Sequence, residues 1–465
     1  VVVGAGPNGL AAAITIAREG RSVLLVEGAD TVGGGCRTAE LTLTGFRHDV
    51  CSTSFPLGVG SPFFRTLPLD RHGLRWIQPE VCVAHPIDPE RAALLHHDLA
   101  ATAAGLGPDG DAYRDLIGPL VERWDQIEEH VLGPLVRLPR HPLAAAGFGL
   151  LAVRSAEGLA RRFSTEQARA LLAGCAAHSF LPLDRPTTGG FAVLYPVLAH
   201  RYGWPLPAGG AQRLSDALAG HLRELGGEIE TGRWVRSLSD LPPARAVLLD
   251  VTPTQLAEMA DLPDGYLRRV RAFRYGPAAF KLDLAVEGGV PWTNPELARA
   301  GTVHLGGTFE EVAEAEARTW AGSVTTRPFL LVAQPSTFDP SRAPEGHHTV
   351  WCYAHVPHGS PVDYTETILT RLEEYAPGLR ERVVGSHVIG PPDWPRYNPN
   401  YVGGDIAGGA HTLTQLLFRP FPSRDPYATP LDGVFLCSSS TPPGAGVHGM
   451  CGHLAARRAL AGPLR

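Results

Sequence analysis

The opening of the chain leaves it little choice of fold. Val1-Val2-Val3 is a β-branched run suited to a buried strand, and it passes directly into Gly4-Ala5-Gly6-Pro7-Asn8-Gly9 and an apolar helix over Leu10–Glu19. Gly4 permits a tight turn, Gly6 lets backbone approach a pyrophosphate, and Gly9 lets the helix lie close to the strand. The helix N-terminus offers unpaired N–H groups and the positive end of its dipole to an anion. Gly20 suits the helix end, and Arg21–Glu27 is a second apolar run. Glu27, roughly twenty residues past the glycines, stands where a carboxylate accepts both hydroxyls of an adenosine ribose. An acid there disfavours a ribose 2′-phosphate.

Context carries this reading. The same glycine spacing recurs at Gly105-Leu106-Gly107-Pro108-Asp109-Gly110 and at Gly444-Ala445-Gly446-Val447-His448-Gly449. The first recurrence lies among polar, proline-containing residues and reads as a loop. The second has too little chain after it to build another nucleotide domain.

A chain of 465 residues, 44% hydrophobic, suffices for two or three domains or one discontinuous pair. With 41 basic against 47 acidic residues it has no cationic excess for phosphates, so no nucleic-acid partner is expected. Seven cysteines, an odd number without a CxxC pair, fit a reducing, cytoplasmic setting and supply no adjacent redox pair. No apolar run reaches the roughly 18–20 residues that span a bilayer. The densest, Leu143 to Val153, reads as a buried helix, with a peripheral membrane contact as the sharper alternative. Since residue 1 is not Met and falls inside a strand, further residues are expected before it.

The pattern from Asp109 to about Leu198 is helical, with Leu116, Leu120 and Trp124 on one face and Ala168, Leu171, Leu172 and Cys175 on another, as in a helical cap. A second βαβ-like passage follows Pro207-Ala208-Gly209-Gly210. Leu214, Leu218, Leu222 and Leu225 make a helix stripe, and strands are expected over Glu228–Val235 and Ala246–Val251. Residues from Phe273 to His355 read mainly as strands flooring a substrate cavity, with Glu310, Glu311, Glu314 and Glu316 on a solvated helix face. His347, His348, His355 and His358 lack the spacing of a metal site, and none is assigned. Gly433–Cys437 is a turn into a buried strand, and the glycines from Gly444 to Gly452 open a helix reaching Leu460, where a flat ring could approach backbone N–H donors.

Taken in order, Gly4–Gly9, Glu27, Gly33–Arg37, Gly45-Phe46-Arg47-His48-Asp49, Pro207–Gly210, Gly226-Gly227-Glu228-Ile229 and Gly444–Gly449 resemble the phytoene desaturase-like FAD oxidoreductases over essentially the whole chain. The resemblance implies an α/β architecture: a Rossmann-like FAD-binding domain of the glutathione-reductase or amine-oxidase type, interleaved with a mixed-sheet substrate domain and a helical cap. The FAD part would comprise 1–85, 205–270 and 400–465, and the substrate part 86–204 and 271–399. It further implies that Gly4, Gly6, Pro7, Asn8 and Gly9 cradle the pyrophosphate, that Glu27 holds the ribose, and that Gly34, Gly35 and Arg37 follow the diphosphate and ribityl chain. Val235 would meet adenine, and Gly446, Val447 and His448 the isoalloxazine. Carotenoid desaturases commonly follow the Gly45-Phe46 passage with Gly-Pro, whereas Asp49-Val50-Cys51-Ser52 stands here, which argues against a carotene.

The implied reaction is hydride removal from a substrate carbon to flavin, forming a double bond in an apolar or small-metabolite substrate. His448, His48 and Asp49 are the candidate bases. Asn400–Asp405 is a further candidate for the cavity wall. An amine or amino-acid oxidase, a non-redox flavin isomerase and a flavin-free binding protein related to the Rab GDP-dissociation inhibitors are the competing readings.

Overall fold

The computed structural model describes residues 1–465. Its N-terminal strand, Val2–Val3, is the centre of a five-stranded parallel sheet assembled from three separate stretches of chain. The order across the sheet is Val434–Leu436, Val247–Leu249, Val2–Val3, Leu24–Val26 and Glu228–Glu230. Parallel strands buried on both faces require continuous apolar runs, which these are except at the Glu228–Glu230 edge. The helix Pro7–Arg18 covers one face, and the helix Met450–Leu460 packs against its first turn. Gly452 makes that contact possible, since a Cβ there would lie 1.7 Å from the Asn8 carbonyl oxygen.

A seven-stranded mixed sheet forms the second layer system. Its order is Val383–Ile389, Ala278–Glu287, His347–Val356, Leu330–Ala333, Ala300–Leu305, Val81–Pro86 and Ala92–Leu95. Every neighbouring pair is antiparallel except Ala300–Leu305 with Val81–Pro86. The two faces are chemically distinct because side chains alternate. Val350, Cys352 and Ala354 enter a 24-residue core shared with Ile368 and Leu372, whereas Trp351 and Tyr353 face a cavity. Val81–Pro86, which straddles the expected limit at residue 85, belongs to this sheet. The helical cap occupies 99–202 and includes Pro142–Ala152, Glu166–Ala177 and Thr188–Tyr202.

Several expectations change in detail. The strand expected over Glu228–Val235 stops at Glu230, because Gly232, at φ +69°, turns the chain and the Arg233 N–H then bonds the Glu27 carbonyl. The helix expected from Gly444 begins only at Met450, since Gly444, Gly446 and Gly449 all adopt positive φ and hold a loop instead. Glu316 is not on a solvated face but buried, 2.7 Å from His355 Nδ1. The Leu143–Val153 run is not a buried helix: the helix Pro142–Ala152 forms, yet Leu143 is 86% and Leu150 70% exposed. No helix is long and apolar enough to cross a membrane.

Candidate functional site

A single cavity of about 870 Å³ runs from the Gly4–Asn8 turn between the two sheets to the helical cap. At its first end the backbone does most of the shaping. Gly4 sits at φ +95°, and a Cβ on Gly9 would lie 1.8 Å from the Gly4 carbonyl oxygen, so helix and turn meet only without a side chain. Gly34 faces Gly6, where a Cβ would be 3.0 Å from the Gly6 Cα. Asn8 Oδ1 is buried without a partner beside this turn. A buried amide oxygen without a partner on the cavity lining is a ready ligand contact.

Glu27 is held firmly. Its Oε2 accepts the Ala5 N–H at 2.7 Å, and its Oε1 accepts the Ala29 N–H at 2.9 Å and Arg37 Nη2 at 3.2 Å. A carboxylate has about four acceptor positions, so one remains on Oε2. Arg37 also donates to the Thr31 carbonyl and lies 5.6 Å from the Tyr397 ring centre. Two contributors at this end escaped the sequence reading. Asp250, at the end of the strand Val247–Leu249, accepts the Gly9 N–H at 3.0 Å, and burial pushes its carboxyl up to about 7. Trp234 lies against Gly28, whose missing Cβ would stand 2.2 Å from the indole, and the tryptophan lines the cavity next to Val235.

The Gly444–Gly449 loop closes the middle of the cavity through Ala445, Gly446, Val447 and His448. Ser61 Oγ donates to the His448 carbonyl at 2.6 Å and pins the loop. His448 Nδ1 accepts the Met450 N–H at 3.0 Å, which fixes the proton of the neutral ring on Nε2. Burial lowers its titration to about 4, so it is neutral at physiological pH. Nε2 is buried and unpartnered beside Gly446. The ring is therefore arranged as a hydrogen-bond donor, which disfavours it as a candidate base.

His48 and Asp49, the other candidate bases, are not brought to the cavity. Asp49 accepts from Thr38 Oγ1, Thr53 Oγ1 and the Ala211 N–H, and pairs with the fully buried Arg342 at 3.1 Å. It anchors the N-terminus of the helix Gln212–Glu224, which also explains an acid where Gly-Pro is commonly found. His48 bonds Thr42 and faces the buried Lys281–Asp283 pair. Of the Asn400–Asp405 passage, Asn400 and Tyr401 line the cavity, while Asp405 accepts three backbone N–H groups in a buried turn. The Gly105–Gly110 recurrence is a corner between two cap helices.

The far lobe is apolar and aromatic: Phe148, Phe180, Phe191, Tyr195, Trp204, Leu331, Trp351 and Tyr353. The two non-glycine residues with positive φ, Phe180 at 54° and Thr187 at 81°, both line it. A β-branched residue in that region is strained, and such strain concentrates where a binding surface must be held in shape. His178 and His411 also face the lobe, and burial lowers both to about 3, leaving them neutral. His178 Nε2 meets His304 Nε2 at 3.1 Å. The acidic and arginine side chains lining the cavity, Glu27, Arg37, Arg233, Arg236, Asp250 and Glu258, all come from elements around the five-stranded sheet. The far lobe has none.

These features define an oxidoreductase built around a dinucleotide cofactor, and the comparisons agree. Residues 2–67 match the NAD(P)-binding Rossmann-like domain. The chain is 27% identical to pyridine nucleotide-disulfide oxidoreductase domain-containing protein 2 of Mus musculus, over 98% of this chain and 92% of the relative. It is also 27% identical to the phytoene dehydrogenase of Streptomyces griseus, over 100% of this chain and 95% of the relative. The structure of a putrescine oxidase bound to putrescine superposes with a TM-score of 0.61 at 18% identity, covering 99% of this chain and 98% of that one, and so shares the fold. Over nearly its whole length the chain is thus similar to phytoene dehydrogenases and desaturases, at 26–27% identity.

Proposed function

We propose that the chain is an FAD-dependent dehydrogenase or desaturase of an uncharged, apolar substrate. The segregation of charge within the cavity carries this reading. An amine substrate would arrive as an ammonium ion, and burying it without an anionic partner costs several kcal/mol, on the order of the penalty for an unpaired buried ion. The far lobe offers aromatic and aliphatic surface with no carboxylate, which suits a hydrocarbon chain or ring. The seven cysteines are all free and buried. Burial raises the thiols of Cys36 and Cys51, near the cradle, which opposes the thiolate that a disulfide shuttle requires.

The residues present fit a flavin dinucleotide. The Gly6–Gly34 approach and the Gly4–Gly9 contact leave room that a Cβ would fill, and Asn8 Oδ1 and His448 Nε2 are orphaned polar atoms along one continuous wall. Bound flavin would supply the two-electron acceptor for a hydride from a substrate carbon, and the proton from the neighbouring carbon would pass to water at the cavity mouth. Gly4, Gly6, Pro7, Asn8 and Gly9 would hold its pyrophosphate, Glu27 and Arg37 its ribose and diphosphate, and Trp234 with Val235 its adenine. His448 would donate Nε2–H to the ring system, with the positive end of the helix Met450–Leu460 behind it. Trp351, Tyr353 and Phe180 exclude water from the far lobe and orient the substrate against that wall. The test is anaerobic bleaching of the flavin band at roughly 450 nm. Polyenes or other apolar alkenes and alkanes should bleach it and amines should not; bleaching by amines alone would overturn the assignment.

The rim of the lobe points to how such a substrate would enter. The helix Pro142–Ala152 lines the cavity with Ala145, Phe148, Gly149 and Ala152 while exposing Leu143 and Leu150, and the preceding Val136 and Leu138 are 62% and 97% exposed. Arg137, Arg140 and Arg154 flank this surface. Exposed leucines beside Arg154, with Arg137 and Arg140 sharing Glu129, suit a lipid surface from which an apolar substrate is drawn. The purified protein should float with vesicles containing phosphatidylserine, and Leu143→Glu with Leu150→Glu should abolish flotation without loss of bound flavin.

A further inference from the structure

A second cluster of chemically capable side chains lies outside the cavity. His72, His221 and Glu224 place one ligand atom each within 4.8 Å of one another. His221 and Glu224 are one turn apart at the end of the helix Gln212–Glu224, so they project from the same face. His72 comes from the tight turn Pro68–Leu74, whose ends are set by the buried Leu69 and Leu74 and whose backbone is closed by hydrogen bonds from Arg71, His72, Gly73 and Leu74. Gly220 gives the His72 ring room against the helix, since a Cβ there would lie 2.9 Å from Nδ1. The cluster is therefore held by two rigid elements that approach closely.

We propose that His72 Nε2, His221 Nδ1 and Glu224 Oε2 form a binding site for a first-row divalent cation, Zn²⁺ above all, which staples the Pro68–Leu74 turn to the helix. The set is two imidazoles and a carboxylate, a donor combination suited to zinc. Zinc bonds of about 2.0–2.1 Å in a tetrahedron put ligand atoms about 3.3 Å apart. Glu224 Oε2 already lies 3.0 Å from His72 Nε2 and 3.2 Å from His221 Nδ1. The edge between the two histidines is within 4.8 Å. The imidazoles are largely buried, at 18% and 9% side-chain exposure, while Glu224 is 58% exposed, so an ion has an entry path and a fourth position for water. The last turn of a helix also favours a cation through the negative end of its dipole. The competing account is a carboxylate that merely accepts hydrogen bonds from two imidazoles.

Calorimetric titration of ZnCl₂ into the flavin-loaded full chain, washed with chelator, separates the two. One Zn²⁺ per chain should bind with a dissociation constant on the order of 1 μM. His72→Ala combined with His221→Ala should weaken that event by about 100-fold, and Glu224→Gln, which keeps the fold's hydrogen-bonding shape, by about tenfold. Saturating Zn²⁺ should also slow tryptic cleavage of the exposed Arg71–His72 bond in the parent protein. Absence of stoichiometric binding, binding of equal affinity in the variants, or cleavage unaffected by the metal would each overturn the assignment.

Discussion

The two ends of the cavity are built by opposite means. The cradle end is shaped by backbone: glycines at contact distance, helix N–H groups and a carboxylate held by two main-chain donors. The far lobe is shaped by bulky side chains drawn from the cap and the seven-stranded sheet. A backbone-built site tolerates almost no substitution and specifies one ligand shape, whereas a side-chain-built lobe can be re-cut by replacing rings. On the proposed function, that difference would fix the cofactor at one end and leave substrate choice to the other.

The sharpest break would come at Gly9. A valine there must displace backbone 1.8 Å from its Cβ. The protein should lose its dinucleotide on gel filtration and destabilise by about 3 kcal/mol or more, read by flavin content and urea unfolding. Next, Phe191→Glu should leave flavin content intact while weakening apolar ligands by about 100-fold, because it buries a lone carboxylate in the far lobe. If flavin is lost as well, the two ends are not independent.

Asp250 provides a pH test. Its folded-state value, about 7, lies above its ordinary 3.8, so the native state binds more protons in that interval. Stability should then fall as pH rises from about 4 to about 7 and stay low above it. Asp250→Asn keeps an acceptor for the Gly9 N–H and removes the ionisation. It should raise stability at pH 8 by about 1–3 kcal/mol and flatten the profile, as followed by thermal unfolding across pH. The smallest effect is expected at Trp234→Ala, about tenfold weaker flavin dinucleotide binding with no change in the far lobe, corresponding to roughly 1.4 kcal/mol of lost stacking.

The contrast also explains what could be read in the sequence. Gly4, Gly6, Gly9 and Glu27 are legible because local geometry demands them at fixed spacing. Asp250 and Trp234 are not, since their roles arise from strand order, which puts residue 250 beside residue 4. The run Leu143–Val153 reads as a helix in the sequence, but its composition cannot choose between burial and surface contact: Ala144, Ala145 and Phe148 are buried while Leu143 and Leu150 are exposed, because composition reports how apolar a segment is and not whether anything covers it. His48 and Asp49 drew attention as adjacent titratable groups. They are consumed by Thr42, Arg342 and a helix N-terminus that no spacing rule could bring to them. His72 and His221 are 149 positions apart, and only the folded turn shows them together.

The sheet order has a consequence in time. The edge strand Val434–Leu436 is synthesised about 430 residues after Val3, which at roughly 5–20 residues per second is about 20–90 s later. Until then the glycine turn has emerged but the loop at Gly444–Gly449 has not. Pairings this distant are slow to form and leave strand edges open during the wait. The two walls of the cavity therefore meet only after synthesis has passed Gly449, and the interval before that is when the open strand edges are most exposed to wrong pairings.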